Sequence, residues 1–483
     1  MNLGGKNVTV VGLARSGVGA ANLLTALGAR VTVTDIKTEE LLKDAVTRLA
    51  PSVKRVLGSH PAELFLSADL IVTSPGVPEL GPISAARNRG IPVIGELELA
   101  WQVFQGEAGK RAKGTRQKEA TVPFLAVTGS NGKSTTTTLV NLMMRRQGFR
   151  TVLGGNIGNA LTEELMALAQ GDTGFGIPEG ALPDAVVAEL SSFQLEAIDT
   201  FRPRIAAILN ITPDHMDRYH SMTAYAGAKA RIFENQGQGD SLVLNADDPG
   251  TGEVYDAGLR RREDTGPAVI FFSRRREVTG VYAKEGTVYS SLAGGNAVPL
   301  VSVGEIAMHG VHNLENAMAA SAMALLAGCG PAAVAAVLRE FTGLEHRLEF
   351  VRELDGVGYI NDSKGTNVDA VLKSLEGFDR PVVLIAGGRD KSGDFTVLRD
   401  TVRRKVKALI LIGEAAGKMG KALEGTTGIY TADSLAGAVE RSRQLALRGD
   451  VVLLSPACTS FDMFRDFEDR GLQFKAAVRG LQE

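Results

Sequence analysis

Short apolar runs recur along the chain: NVTVVGL, RVTVTD, DLIVTSPG, PFLAVTG, DAVVAEL, RIAAILN, PVVLIAGG, ALILIG and DVVLLSPA. Most are continuously apolar rather than alternating, the pattern of a strand buried on both faces. Ala- and Leu-rich stretches with helical spacing separate them. This alternation predicts an α/β protein of parallel sheets covered by helices. The stretch from Gln105 to Thr121 is polar, basic and Gly-bearing and reads as a flexible connector. A second boundary is expected near Thr342 and Gly343, where the helical run PAAVAAVLREF meets a glycine stop. The expected division is a Rossmann-like domain over 1–104, a connector over 105–121, a central phosphate-loop domain over 122–342 and a Rossmann-like domain over 343–483.

Composition narrows this picture. At about 150 residues per domain, the 483 residues fit three domains. A net charge of -2 gives no basic excess for nucleic acid or an acidic membrane surface. Cysteine occurs only at 329 and 458, which is no disulfide framework and favours a reducing, cytoplasmic setting. No run approaches the roughly 18 apolar residues of a membrane span. The opening, Met1 to Val11, lacks the long apolar region of a secretory signal.

The sharpest chemical signal is PFLAVTGSNGKSTTTTLV over 123–140. A strand runs into Gly129, Ser130, Asn131, Gly132, Lys133, Ser134 and Thr135, and a helix follows. Small residues let backbone N–H groups turn inward around phosphate, and the helix N-terminus adds its dipole. Lys133 offers a point charge to the outer phosphates, and the Ser134 hydroxyl can reach Mg2+. Val127 stands where the usual pattern has a further glycine, so the loop is a shortened form. Nucleotide triphosphate binding follows; on this loop alone a ligase, a motor and a kinase all remain open.

Eight further segments occur in order: GGNIG (154–158), ELSSFQLE (189–196), NITPDHMDRY (210–219), AKARIF (228–233), HNLENAMAA (312–320), HRLE (346–349), INDSKGTN (360–367) and SPACTSFDMFRDFEDRG (455–471). Together with the loop TGSNGKST they resemble the Mur ligase family over nearly the whole chain, in its D-glutamate-adding branch. The resemblance implies an ATP-dependent ligase joining D-glutamate to UDP-N-acetylmuramoyl-L-alanine through an acyl phosphate. A bare carboxylate is a poor electrophile, and phosphate makes it a good one; phosphoryl transfer itself needs positioning and charge neutralisation. The family's two Mg2+ sites map onto Ser134, Glu189, His215 and Lys229. Lys229 is expected to be carbamylated by CO2, which turns its positive charge negative. CO2 reacts with the neutral amine, about 1 in 2,500 lysines at pH 7 if unperturbed, so a depressed pKa is expected there. Asn313 and Asn316, three apart on one helical face, would approach ATP, although helix capping is the plainer alternative. Arg347 and Asp362 would reach the nucleotide from the third domain, which implies closure over ATP.

The N-terminal run resembles a Rossmann half, with a Gly-rich turn at Gly12 and Gly17. Ala14 replaces its middle glycine, and an NAD reading rests on that imperfect match alone. The resemblance assigns Arg15 and Ser16 to the UDP diphosphate and Asp35 to uridine. It assigns Ser74, Pro75 and Gly76 to a second contact with that substrate, and Asn156 to the muramoyl side. The D-N-P-R motif of lysine- and diaminopimelate-adding relatives is absent. Lys391 instead resembles the lysine that pairs with a D-glutamate carboxylate, with Thr366, Ser460, Phe461 and Phe467 completing the pocket. A cation with converging N–H donors suits a carboxylate. The protein is expected to be monomeric. Another amino-acid ligase of this superfamily, such as a folylpolyglutamate synthase, and an ATP-gated switch protein stay as alternatives.

Overall fold

The computed structural model describes residues 3–112, 121–169, 175–258, 265–292, 296–308, 310–390 and 393–482. They form two compact units. The first comprises Met1–Ile211, Ala226–Ser302 and Asn316–Val337; the second comprises Thr212–Tyr225, Val303–Glu315 and Leu338–Glu483.

The first unit holds two sheets. Strands β1 (Asn7–Val11), β2 (Arg30–Asp35), β3 (Lys54–Leu57), β4 (Leu70–Thr73) and β5 (Val93–Gly95) lie in the order β3-β2-β1-β4-β5, all parallel. The second sheet is built from β6 (Phe124–Thr128), β7 (Thr151–Gly155), β8 (Ala185–Glu189), β9 (Ile205–Ile208), β10 (Ser241–Asn245), β11 (Ala268–Ser273), β12 (Gly280–Lys284), β13 (Thr287–Ser290) and β14 (Val298–Ser302). Its order is β14-β13-β12-β11-β10-β9-β6-β8-β7. The expectation of parallel sheets fails at one edge, where β12, β13 and β14 are antiparallel. The physical reason is local. Glu285 and Gly286 both adopt positive φ, 49° and 74°, the two-residue turn that matches strand twist.

The second unit carries β15 (Glu349–Leu354), β16 (Val357–Asn361), β17 (Val382–Gly387), β18 (Val406–Ile412), β19 (Gly428–Thr431) and β20 (Val451–Leu454), ordered β15-β16-β20-β17-β18-β19. Its edge strand β15 is again antiparallel, through a turn with Asp355 at φ 56°. Burial on both faces explains the continuous apolar strands. In β17, Val382, Leu384 and Ala386 enter one core cluster while Val383 and Ile385 enter the opposite one.

The expected connector is partly regular. A helix runs Glu96–Ala112, so residues 105–112 are helical, and 113–120 lie outside the described residues. Tertiary contacts hold that helix. Glu98, fully buried, accepts from the backbone N–H of Asp199 (2.9 Å), Thr200 (3.0 Å) and Phe201 (2.9 Å) and from the Thr200 hydroxyl (2.5 Å). Trp101 packs edge-on against Phe124 and Phe201 at 5.2 and 5.6 Å between centroids. Among the described residues no helix is long and apolar enough to cross a membrane.

Candidate active site

β8, β6 and β9 are neighbours, so their C-terminal ends lie side by side, where parallel sheets present loops to ligands. The loop after β6 leads to the helix Lys133–Gln147. Gly132 caps that helix at φ 85°; a Cβ there would lie 2.1 Å from Asn316 Oδ1, so only glycine fits. Asn316 is buried, its Oδ1 also 3.4 Å from the Thr136 hydroxyl. Lys133 Nζ donates to the carbonyls of Gly129 (2.9 Å) and Ser130 (2.8 Å). Lys229, 1% exposed at the end of the helix Met222–Ala230, donates to the same Gly129 carbonyl at 2.9 Å. The fold thus brings Lys133 and Lys229 to one oxygen. Ser134 is buried in the first turn of the loop helix.

Glu189 ends β8 and is 2% exposed. Asn156 grips it twice: Nδ2 donates to Oε1 at 2.7 Å, and the Asn156 N–H donates to the Glu189 carbonyl at 2.8 Å. The buried Glu189 carboxylate and the buried Ser134 hydroxyl are hard-oxygen donors of the kind that suits Mg2+.

In the N-terminal sheet, Asp35 ends β2 and accepts from the N–H groups of Leu13 (2.7 Å) and Lys37 (2.9 Å). Ser74 follows β4 and donates to the Gly12 carbonyl at 2.7 Å. Both side chains therefore brace the Gly12–Leu13 turn. Arg15 opens the helix Arg15–Ala26 and is exposed, with Ser16 beside it. Pro75 and Gly76 follow Ser74 in the turn beyond β4. Glu96 lies buried nearby. Burial raises its pKa against hydrogen bonds from Thr162, and Arg15 acts weakly the other way.

Several expected residues fall in the second unit. β9 stops at Ile208, and His215 caps the short helix Met216–Tyr219 at φ 55°. It shares a cavity of about 270 Å³ with Asp214, Thr366, Asp369, Asp390 and Ala457. Thr212 donates to Asp369 (2.9 Å) and Asn367 to Asp214 (3.3 Å) across it. Asp362, 3% exposed, accepts from Ser374 and Ser455 at 2.7 Å each; burial still pushes its pKa up. Asn313 and His312 lie in the first turn of the helix Val311–Leu326, and Arg347 is half-buried. Burial, then the cations Arg347 and Lys373, hold the His312 pKa down at about 4. Ser460 is buried, Phe461 is 61% exposed, and Phe467 begins the helix Phe467–Gly480. Lys391 lies outside the described residues.

Residue-by-residue reading passed over Asn210. Its carbonyl accepts from the Ser130 N–H (3.0 Å), its Oδ1 from the Asn131 N–H (2.9 Å), and its Nδ2 donates to the Asn131 carbonyl (3.1 Å). It thus pins the phosphate loop to the end of β9. Its position inside NITPDH was the one available signal. Arg470, buried within FEDRG, was also missed.

Family models match the chain as Mur ligase MurD-like N-terminal domain over residues 6–95, Mur ligase middle domain over 127–324, and Mur ligase glutamate ligase domain over 346–458. The UDP-N-acetylmuramoylalanine--D-glutamate ligase of Geotalea uraniireducens is 44% identical, covering 100% of this chain and 99% of that protein. Among solved structures, MurF from Acinetobacter baumannii superposes with a TM-score of 0.59 at 18% identity, over 97% of this chain and 93% of its own. MurF ligase from Thermotoga maritima, solved in complex with ADP, gives 0.56 at 14% identity over 93% and 95%. At these identities the structures speak for the three-domain fold alone. The full-length relative, the co-linear domain models and the braced phosphate loop together mean that the chain belongs to the Mur ligase family.

Proposed function

We propose that this protein is the ATP-dependent ligase that joins D-glutamate to UDP-N-acetylmuramoyl-L-alanine, a step of peptidoglycan precursor synthesis. The observation that carries the reading is full-length 44% identity to ligases of that name, together with the geometry around Gly129. ATP gives its γ-phosphoryl group to the substrate carboxylate, releasing ADP and forming an acyl phosphate. The neutral amine of D-glutamate attacks that carbonyl, phosphate leaves with the carbon–oxygen bond electrons, the nitrogen gives up a proton, and an amide remains.

The loop Gly129–Thr135 would cradle ATP through its N–H groups, with Lys133 neutralising charge on the transferred phosphoryl group. Asn313, Asn316, Arg347 and Asp362 would complete the nucleotide site. Ser134, Glu189, His215 and Lys229 would hold Mg2+ at two sites; its chemistry is to neutralise phosphate charge. The buried hydroxyl and carboxylate support the assignment of Ser134 and Glu189. The placement of Lys229, 1% exposed against the Gly129 carbonyl of the phosphate loop, supports its carbamylation. Arg15, Ser16, Asp35, Ser74, Pro75, Gly76 and Asn156 would receive the UDP-sugar. Thr366, Lys391, Ser460, Phe461 and Phe467 would receive D-glutamate. This reading divides the chain at 104, 121 and 342 and makes the enzyme a cytoplasmic monomer.

Phosphate release with ATP, Mg2+ and UDP-N-acetylmuramoyl-L-alanine tests it. D-Glutamate, L-glutamate, L-lysine, diaminopimelate and L-alanine are added singly. Turnover confined to D-glutamate, with a product heavier by one glutamyl unit, is the expected result. Turnover with a different amino acid would keep the family and refute the pocket.

A further inference from the structure

Arg470 is the largest fully buried side chain of the described residues, at 0% exposure. A guanidinium taken out of water is costly unless a carboxylate pairs with it, yet its hydrogen bonds all go to neutral oxygens. Nε donates to the Ser363 hydroxyl (2.9 Å) and Nη2 to the Ser363 carbonyl (2.8 Å). Nη1 donates to the carbonyls of Cys458 (3.2 Å) and Thr459 (3.3 Å). Burial lowers its pKa to about 10, so it stays a cation at neutral pH. One side chain therefore ties the loop after β16 to the loop after β20. Backbone bonds between Arg389 and Thr459, 3.0 Å in each direction, add the loop after β17.

The orientation matters for chemistry. In a trans peptide the C=O and N–H point opposite ways, and no described peptide bond is cis. The Thr459 carbonyl accepts from both the Arg389 N–H (3.0 Å) and the guanidinium (3.3 Å), so the Ser460 N–H is turned away from both. That N–H makes no hydrogen bond among the described residues. Ser460 is itself buried, and a buried N–H without a protein partner is one that a ligand can satisfy. A cation behind a polarised peptide strengthens the donor at its far end.

We propose that Arg470 is a positioning residue for the amino-acid substrate: its buried guanidinium fixes the Thr459–Ser460 peptide so that the Ser460 N–H receives a substrate carboxylate. This rests on the D-glutamate reading above. Arg470 touches no substrate; it acts through the peptide and adds positive potential behind it.

Steady-state kinetics on the full-length enzyme test this. D-Glutamate turnover by wild type is measured first; its absence would overturn the D-glutamate reading before any variant is compared. Arg470→Lys keeps the charge and loses the bridging geometry, and Arg470→Met loses both. KM for D-glutamate is expected to rise about tenfold in the first and up to about a hundredfold in the second, as for loss of a charge-assisted donor. KM for ATP and for the UDP-sugar should stay within about twofold, a selectivity that general loosening of the fold would not produce. Folded variants with wild-type KM for D-glutamate, or with all three KM values raised alike, would overturn the proposal. If neither charge variant folds, Ser363→Ala decides: it removes the Nε acceptor, and an unchanged KM for D-glutamate would count against the role.

Discussion

Asn156 reaches Glu189 through a 2.7 Å hydrogen bond that no linear motif displays. The sequence resemblance assigns Asn156 to the muramoyl substrate, and its amide also holds a buried carboxylate on the neighbouring strand end. Groups that orient a metal ligand typically matter ten- to a hundredfold, roughly, for metal affinity. Asn156→Ala is therefore expected to raise the Mg2+ concentration for half-maximal activity about tenfold or more. An unchanged Mg2+ requirement would mean the amide does not hold Glu189 for a metal. The positions of Lys133, Ser134 and Glu189 were legible because they follow from local pattern, at a loop helix and a strand end. Asn210 and Arg470 were not, because each acts across loops that are distant in sequence.

At the scale of elements, all nine apolar runs form strands, since burial on both faces writes itself directly into residue type. The helix Glu96–Ala112 was misread beyond Gln105. Its Gly106, Gly109 and charged residues resemble a linker, but Glu107 and Ala108 are buried, and packing overrode propensity. Glu98→Ala would strip partners from three backbone N–H groups and is expected to destabilise the fold by about 3 kcal/mol. Chemical denaturation of the variant would measure this, and a loss below about 1 kcal/mol would refute the clamp.

The helix Val311–Leu326 carries a pH dependence at its start. The folded pKa of His312, about 4, lies below its ordinary 6.5. Its contribution to stability is present in full above pH 6.5 and is lost as pH falls toward 4, because the unfolded chain binds the proton first. The facing groups are the cations Arg347 and Lys373, which oppose protonation further. Melting temperature should fall across that window, and His312→Gln should flatten the slope there. A variant with the wild-type slope would remove His312 as its source.

For the whole molecule, the chain order and the compact units do not coincide. Residues 212–225 and 303–315 come from the middle of the chain yet belong to the second unit, where Thr212 bonds Asp369. Unfolding followed by calorimetry is expected to show more than one transition, as multi-unit proteins do. ATP with Mg2+ should raise the melting temperature by mass action, by about 2.7 kcal/mol of stability at a hundred times Kd. Lys133→Ala should abolish that rise, measured against the variant's own ligand-free melting temperature. A persistent rise would move ATP away from the Gly129–Thr135 loop.

Composition and pattern alone fix the α/β class, the doubly covered strands and the phosphate loop, because burial and backbone turning depend on residue type at short range. The antiparallel sheet edges, the helical part of the 105–121 segment and the capping position of His215 came from the folded chain. So did the shared oxygen under Lys133 and Lys229, the Asn156–Glu189 bond and the charge of Arg470 behind Ser460. The Lys229–Gly129 and Asn156–Glu189 contacts join residues 100 and 33 positions apart. Such contacts follow from strand order and packing, which local sequence does not encode.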